Sequence, residues 1–376
     1  MVDTHLGRAR LLAQGLVTRP YATPTEAVRA HGAMQGQDLP GAIASAALRT
    51  RGGTAEQVIA DLDAGRLVRG YPMRGTVFLM AADDVAWVSQ LCNAPMLRAQ
   101  AARRGQLDLH EDHVEVASEL TARVLAAHER GLPRAGLMQH WDQAGVPTDA
   151  GRGYHVLSHL IGRGEVAYGP WNGVDQNVVG RDRLPAGGDL EGRFNGDRTA
   201  ATAELLRRYL ISHGPATLRD FAWWTKLPQR DIRPAFTLIE HEVERFTGAG
   251  PEQDGEVRFG RPGLADELAE RLAGPDSSDH RESTGRRMLL PGFDEFVLGY
   301  QDRMFAMSSS EHHLLVPGNN GVFKKSMVSG GRVVGTWARA GRPGKRSLEL
   351  VPFGRLAKKD LAEYERLFEE FPFPLP

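Results

Sequence analysis

The sequence predicts a mainly α-helical α+β protein in which groups of helices alternate with short β-hairpins. Three observations support this fold class. Capped helical segments with apolar periodicity are followed by strand-like segments, and this order occurs three times along the 376 residues. No low-complexity spacer separates the three passes. From residue 288 onward the pattern is β-rich, and Gly330-Gly331 between two alternating runs is a strong hairpin signal.

The first unit, residues 1–110, is predicted to begin with helices and to end with a hairpin. Thr25 and Thr54 are predicted helix caps, and Gln57 completes a capping box with Thr54. Three helices followed by a hairpin are the outline of a winged helix-turn-helix unit. The predicted helices cover 4–14, 25–34, 39–49 and 54–62, and the predicted strands cover 66–71 and 76–80.

The same order of elements is predicted twice more, in residues 111–195 and 196–287. Pro133 suits the first turn of a helix, and Thr217 is a predicted helix cap. The Gly- and Pro-containing stretch 181–195 is predicted to be a linker. The predicted helices cover 111–130, 133–144, 152–162, 199–212, 217–224, 230–240 and 264–273, the predicted strands cover 165–168, 176–179, 243–247 and 256–259, and 274–287 is a predicted polar loop.

Composition excludes several classes of protein. A hydrophobic content of 41% and a charged content of 25% are typical of globular proteins. No apolar run is long enough to span a membrane, and the N-terminus lacks a signal-peptide pattern, so we expect a cytoplasmic protein. Cys92 is the only cysteine, which excludes disulfides and thiolate metal sites within the chain. His155 and His159 show no metal-binding motif, and we expect neither a metal nor a cofactor.

The C-terminal segment, residues 288–376, contains a basic hairpin. The net charge of the chain is −1, yet residues 321–346 carry seven cations and no Asp or Glu. Such a segment is typical of contact with nucleic-acid phosphates, and an aromatic ring within it suits a groove or a sugar. Strands are predicted over 322–328, 332–339 and 347–352, and a helix over 358–370. The predicted DNA-contacting residues are Lys324, Lys325, Arg332, Trp337, Arg339 and Arg342.

Gln35 and Gln37 lie two residues apart, around Gly36, at the junction of two predicted apolar helices. One interpretation is a capped helix end with two surface amides. In the other, both amides project into a cavity between the helices. Because a primary amide donates and accepts hydrogen bonds, the pair would then hold a water and a substrate oxygen together.

Two other segments contain candidate site residues. Arg74 lies in the turn of the first hairpin, where a solvated arginine is the simple interpretation. Asp294 and Glu295 are adjacent carboxylates that form either a catalytic pair or ion pairs with Arg287 or Arg303. On a strand, two adjacent side chains face opposite sides of the sheet. The pair Trp223-Trp224 is predicted to belong to the core.

The chain resembles the winged-helix family of AlkZ-like DNA glycosylases, which includes the AlkZ and YcaQ branches. The matching stretches span nearly the whole chain in order. They are MQGQD at 34–38, VRGYPMRGT at 68–76, LSHLIGRGEV at 157–166, HGPATLRDFAWWTKL at 213–227, LLPGFDEFVLGYQDR at 289–303 and GRVVGTWAR at 331–339.

The resemblance implies a fold and a set of site residues. It implies three tandem winged-helix units curled around a DNA channel, and a signature of two glutamines that maps onto Gln35 and Gln37. The second glutamine favours the AlkZ branch, because the YcaQ branch has aspartate there. Two positions depart from the family pattern, since Gly36 replaces an aliphatic residue and Phe78 stands where the family often has histidine.

The function that the resemblance implies is excision of bulky N7-alkylated purines from double-stranded DNA by a monofunctional glycosylase. Unhooking of interstrand crosslinks would extend this to DNA repair or antibiotic self-resistance. Gln35 and Gln37 are then catalytic, with support from Asp38, Arg74 and Asp294, and the protein is expected to act as a monomer. The alternative is a non-catalytic winged-helix DNA-binding protein, either a regulator or a damage-shielding protein. The common hydrolase and nucleotide-binding motifs are absent from the sequence.

Overall fold

The structure, a computed structural model, describes residues 2–247, 257–273, 285–342 and 345–374. The chain forms two compact units, one of Met1–Gln57 with Ala203–Pro376 and one of Val58–Thr202. We call them the outer-chain unit and the mid-chain unit, after their positions in the sequence. Among the described residues, no helix is long and apolar enough to cross a membrane. Helices and short strands alternate in both units, as the sequence predicts.

Side-chain caps close to each helix in sequence determine where the first two helices of the outer-chain unit begin. The Asp3 carboxylate accepts from the Leu6 N–H, and the Thr23 hydroxyl accepts from the Glu26 N–H with proline following at the first turn. The second helix therefore begins at residue 24, and it ends at His31 rather than at residue 34 as predicted, because Gly32 has φ 75°. The elements are α1 (Thr4–Ala13), α2 (Pro24–His31), β1 (Met34–Gln35) and α3 (Leu39–Arg49).

The mid-chain unit starts within α4 and ends within α11. Its antiparallel strands lie in the order β3-β2-β5-β6-β4. Trp141 is fully buried in its core, and its indole N–H donates to the Thr121 hydroxyl over 2.9 Å. The elements are α4 (Ala55–Asp63), β2 (Leu67–Met73), β3 (Thr76–Ala81), α5 (Ala82–Cys92), α6 (Ala94–Arg103), α7 (Glu111–Ala126), β4 (Leu132–Pro133), α8 (Arg134–Gln143), α9 (Arg152–Gly162), β5 (Val166–Trp171), β6 (Gln176–Gly180), α10 (Leu190–Phe194) and α11 (Arg198–His213).

The predicted linker 181–195 is wrong for its second half, which is packed against the unit. Residues 190–194 form α10. The Arg193 guanidinium lies 2.9 Å from the buried Asp84 carboxylate, and the Phe194 ring meets Trp87 edge-on at 5.1 Å. These contacts are to α5, which the sequence did not predict. A glycine-rich stretch was therefore mistaken for a connection because the helix it docks on was missed.

The C-terminal part of the outer-chain unit contains a four-stranded antiparallel sheet in the order β12-β11-β10-β9. Its first hairpin strand starts at residue 326 rather than at 322, and residues 274–284 of the predicted loop lie outside the described residues. The elements are α12 (Leu218–Thr225), α13 (Gln229–Ile239), β7 (Glu244–Arg245), β8 (Phe259–Gly260), α14 (Leu264–Ala273), β9 (Arg287–Leu290), α15 (Glu295–Leu298), α16 (Ser309–Leu315), β10 (Ser326–Ser329), β11 (Arg332–Ala340), β12 (Ser347–Pro352) and α17 (Lys358–Glu369).

A buried ion pair joins the N-terminal and C-terminal parts of the outer-chain unit. The Arg49 guanidinium, at the end of α3, donates to both Asp294 oxygens over 2.9 and 3.0 Å. Both side chains are almost fully buried. Ser45 donates to the same carboxylate over 2.6 Å, and the second Arg49 nitrogen also reaches the Gln14 side-chain oxygen. Buried charges are tolerated when they are paired and hydrogen-bonded, as they are here.

Replacement of Arg49 by methionine should strongly destabilise the protein. The variant leaves the Asp294 carboxylate buried without its partner, which costs roughly 3–5 kcal/mol of unfolding free energy. Arg51, two residues further on and exposed, supplies the matched control, and Arg51→Met should change stability by less than about 0.5 kcal/mol. Chemical denaturation followed by circular dichroism measures both. Equal stability of the two variants would contradict the role of the ion pair.

The same pair predicts how stability depends on pH. Burial alone would raise the pKa of Asp294, but the Arg49 guanidinium and the hydrogen bonds from Ser45 and the Phe296 N–H hold that pKa below its ordinary value. This contribution to stability is complete above the unfolded pKa of about 3.9 and is lost as pH falls through the lower folded pKa. The stability gap between wild type and Arg49→Met should therefore be widest near neutral pH and should narrow toward pH 3. A gap independent of pH would contradict this.

Candidate functional site

The segment from Gln35 to Asp38 connects α2 to α3, as the sequence predicts. Gln35 is 6% exposed, whereas the side chain of Gln37 is exposed. The Gln35 N–H donates to Glu295 Oε1 over 2.6 Å, and the Gly36 N–H donates to the side-chain oxygen of Gln35 over 3.1 Å. The two amides therefore have different environments. The side-chain amide of Gln35 is buried and accepts from the Gly36 N–H, whereas the side-chain amide of Gln37 faces solvent.

Three chain segments converge at the start of α3, and two glycines allow their close approach. A Cβ atom on Gly41, in the first turn of α3, would lie 2.7 Å from Asp38 Oδ2 and 3.1 Å from the Gly292 carbonyl oxygen. A Cβ atom on Gly292 would lie 2.7 Å from the Phe323 carbonyl oxygen. The distance of 2.7 Å to the Phe323 carbonyl is too short for a real side chain, and the distance of 3.1 Å to the Gly292 carbonyl is unusually tight. The backbone at Gly292 thus lies between the start of α3 and the backbone at Phe323.

Asp38 occupies the N-cap position of α3 but makes no side-chain capping hydrogen bond. Burial lowers the pKa of Lys325, and the Asp38 carboxylate partly opposes that effect. An electrostatic interaction therefore links the Gln35–Asp38 segment to the start of the basic hairpin. Asp38 is the next residue after Gln37, and its supporting role in catalysis stays a prediction.

The prediction for the adjacent carboxylates Asp294 and Glu295 needs correction. They do not lie on a strand. Asp294 caps the short helix α15, and its side chain accepts from the Phe296 N–H. Its ionic partner is Arg49, not Arg287 or Arg303. Because its charge is balanced by Arg49, the structural contribution of Asp294 is to fix α3 and α15 to each other.

The predicted DNA-contacting cations differ in their surroundings. Lys324 and Arg342 are exposed. Lys325 is half-buried, with its ammonium 5.1 Å from the centre of the Trp337 ring. Arg332 pairs with Glu311 at 2.6 Å, and the Arg339 guanidinium lies over the Phe373 ring at 4.2 Å. The exposed cations are therefore the ones best placed for phosphate contact.

The prediction that Trp337 contacts DNA is wrong. The side chain is 3% exposed, and its indole N–H donates to the Leu290 carbonyl over 2.9 Å. Its ring meets Phe368, Phe371 and Phe373 at centroid distances between 4.8 and 6.2 Å. Trp337 is the centre of a small core between the four-stranded sheet and residues 368–373.

Arg74 is at the predicted turn, within the mid-chain unit, with φ 58° and its guanidinium 5.2 Å from the centre of the Phe78 ring. In the same unit, His159 lies 2.7 Å from an Arg104 nitrogen, and burial together with that arginine lowers the pKa of His159 to about 4. Among the described residues, no group of three His, Cys, Asp or Glu side chains is arranged to hold a metal ion.

Sequence reasoning missed His213, which lies at the end of α11. Its Nε2 is 3.3 Å from Glu295 Oε2, and its ring stacks on Tyr209 at 4.5 Å. Trp224 is fully buried against this cluster, as predicted, while Trp223 is half-buried with Arg303 over its ring at 5.2 Å. No local pattern links His213 to a carboxylate 82 residues later.

Comparison with known proteins defines the class. The model of the AlkZ-like DNA glycosylases matches residues 28–371, and the chain belongs to this family. It is therefore a DNA glycosylase, an enzyme whose substrate is DNA. It is 28% identical over 344 residues to an interstrand DNA cross-link repair glycosylase of Streptomyces sahachiroi, covering 87% of this chain and 85% of that protein. The solved structure of DNA glycosylase AlkZ from the same organism matches its fold with a TM-score of 0.68 at 21% identity, over 100% of both chains.

The two kinds of cation on the basic hairpin should behave differently. Because each phosphate contact releases counterions, Lys324→Ala and Arg342→Ala should each reduce the salt slope of DNA binding by about one unit. Arg332→Ala should instead break its pair with Glu311 and change the slope less. Fluorescence titration at several salt concentrations measures the slopes, with Lys359→Ala on α17 as an exposed control. If the salt slopes of DNA binding in all four variants equal the wild-type slope, the hairpin does not contact DNA.

Proposed function

We propose that the chain is a monofunctional DNA glycosylase that hydrolyses the N-glycosidic bond of bulky N7-alkylated purines, with Gln35 and Gln37 as catalytic residues. The observation that carries the proposal is the geometry of their segment, in which a buried Gln35 is anchored to Glu295 and an exposed Gln37 follows two residues later. The exposed side-chain amide of Gln37 is a neutral group that can both donate and accept hydrogen bonds. The chain also belongs to a family of DNA glycosylases.

The chemistry suits neutral amides. Alkylation at N7 makes guanine cationic, so the base is already a good leaving group and needs little general acid. Hydrolysis then requires a positioned water and stabilisation of an oxocarbenium-like sugar. We assign placement of the water to Gln37 and orientation of the same water or the sugar to Gln35. Asp38 adds negative potential beside the developing positive charge.

The proposal extends to unhooking of interstrand DNA crosslinks by this chain, as DNA repair or as antibiotic self-resistance. Crosslink unhooking is supported by the relative from Streptomyces sahachiroi, whose name describes repair of interstrand cross-links. Self-resistance stays a prediction. We also propose that residues 1–110, 111–195 and 196–287 are three winged-helix units followed by a C-terminal segment from 288. The support is the repeated order of helices followed by a hairpin. The DNA channel, the monomeric state, the cytoplasmic location and the role of Arg74 stay predictions.

The alternative function is non-catalytic DNA binding. A regulator reads base edges with a polar, accessible recognition helix. In contrast, α3 is apolar and nine of its eleven residues are buried. This burial disfavours sequence-specific readout by α3, and the family is one of glycosylases. A damage-shielding protein would bind alkylated DNA and release no base.

Substitution of each glutamine should reduce excision while leaving DNA affinity nearly unchanged. A positioned polar group that acts in the transition state is worth roughly 10²–10³ in rate, so Gln37→Ala should lose most activity. Gln35→Ala should be milder, because water can partly replace an orienting amide. Single-turnover release of N7-alkylguanine from a duplex measures the rate, and a binding titration measures the affinity.

The matched control is Gln143→Ala, an exposed glutamine at the end of α8 that should keep the wild-type rate. Full activity in the double variant of Gln35 and Gln37 would place the chemistry elsewhere. Tight binding without base release by the wild-type protein would favour the shielding function.

A further inference from the structure

Glu295 is the buried carboxylate that contacts the backbone of the proposed catalytic segment. It is 1% exposed. One oxygen accepts the Gln35 N–H over 2.6 Å, and the other lies 3.3 Å from His213 Nε2. A hydrogen bond from an N–H to an ionised carboxylate is roughly twice as strong as one between neutral groups. Glu295 thus links the segment to α11, although 260 residues of chain separate it from Gln35.

The neighbouring carboxylate has a different task. Both oxygens of Asp294 are held by Arg49, so its charge serves the packing of α3. Among the residues that the structure describes, no arginine or lysine forms an ion pair with Glu295. Its hydrogen-bond partners there are the Gln35 peptide and the His213 ring. Burial of a carboxylate costs free energy unless hydrogen-bond partners compensate for it. The position of Glu295 at the Gln35 peptide is therefore more than a consequence of side-chain packing.

The position of Glu295 matters because the residue after Gln35 is glycine. Glycine is conformationally permissive, and in this chain Gly36 stands between the two glutamines. A side chain at that position would help to fix the direction of the segment by packing. Because Gly36 has no side chain to pack, the Gln35 peptide that Glu295 holds contributes to the direction in which Gln37 leaves the core.

The anchor itself is held rigidly. The His213 ring stacks on Tyr209 with an interplanar angle of 14°, and its Nδ1 lies 2.9 Å from the Ser212 hydroxyl. The Tyr209 hydroxyl donates to the Gly299 carbonyl over 2.6 Å, just after α15. The imidazole is therefore fixed on both sides, and the Glu295 carboxylate lies between a fixed ring and the Gln35 N–H.

We infer that Glu295 is a positioning residue for excision, which sets the direction of the Gln35–Gln37 segment through the Gln35 N–H. The inference rests on the proposed roles of the two glutamines. Glu295 acts on the rate through Gln35 and Gln37, and substrate binding does not depend on it.

Two variants of Glu295 separate positioning from simple stability. Glu295→Ala removes the acceptor, and misplacement of a catalytic group by about 1 Å costs on the order of 100-fold in single-turnover rate. Glu295→Gln keeps an amide oxygen at the same distance along the side chain, so it should recover the rate to within about tenfold of wild type. DNA affinity should stay within about threefold in both, because the change is confined to the transition state. Asp84→Asn, at a fully buried carboxylate of the mid-chain unit, is the control and should keep the wild-type rate.

A second measurement needs no substrate. In Glu295→Ala the amide hydrogen of Gln35 should exchange with solvent about tenfold faster or more, as loss of a charge-assisted hydrogen bond implies. Asp84→Asn should leave that exchange unchanged. Amide-resolved NMR provides the reading.

Four outcomes are informative. Rate loss with normal DNA affinity, rescue by glutamine and faster Gln35 exchange support the inference. Equal rate loss in both variants, in step with lower melting temperature and weaker DNA binding, would overturn it in favour of a structural role. Unchanged exchange and rate in Glu295→Ala would overturn it as well. Faster exchange in Glu295→Ala, combined with no base release by the wild-type protein, would confirm the anchor and reject the proposed function.

Discussion

The bidentate ion pair between Arg49 and Asp294 is the constraint on which the organisation of the outer-chain unit depends. It fixes the end of α3 to the start of α15 in the interior, across 245 residues of sequence. Besides the ion pair, the two terminal nitrogens of the guanidinium donate to Ser45 and Gln14, whereas its Nε has no hydrogen-bond partner among the described residues. Gln14 extends the network to the Tyr300 hydroxyl. A polar network of this kind allows one arrangement of the surrounding helices, because a misplaced partner would leave a buried charge unpaired.

That constraint also determines where Glu295 lies. With Asp294 fixed as the cap of α15, the next side chain is carried into the interior beside Gln35. Two adjacent acidic residues thus have different partners, one an arginine and the other a peptide N–H with a histidine. The first determines packing, and the second lies at the segment to which the chemistry is assigned. The segment to which the chemistry is assigned is therefore attached to a buried polar cluster of the unit.

Local elements could be predicted from the sequence because their causes are local. The junction at Gln35–Gln37, the helix capped by Thr217 and the strand 347–352 all follow from caps and periodicity within a few residues. The burial of Trp337 could not be predicted. On an alternating strand, only the position of a distant element decides which face is buried, and here Phe371 and its neighbours cover the ring.

The sequence indicated the segment to which catalysis is assigned, but not the residues that hold this segment in place. The two glutamines were identified by resemblance, while Arg49 was not identified as the partner of Asp294 and His213 was not identified at all. Both pairings join residues far apart in sequence, one across 245 residues and the other across 82. A single sequence carries no pattern for such contacts. Arginine and carboxylate side chains are also common enough that many pairings, such as those with Arg287 or Arg303, look equally good.

The central claim is that this chain breaks a glycosidic bond rather than only holding damaged DNA. The most direct test is mass spectrometry of small molecules released when the wild-type protein is incubated with a duplex that carries one N7-alkylguanine. The account predicts free N7-alkylguanine in amounts that match the abasic sites formed in the DNA. Intact alkylated duplex recovered in full from a tight complex, with no free base, would contradict it.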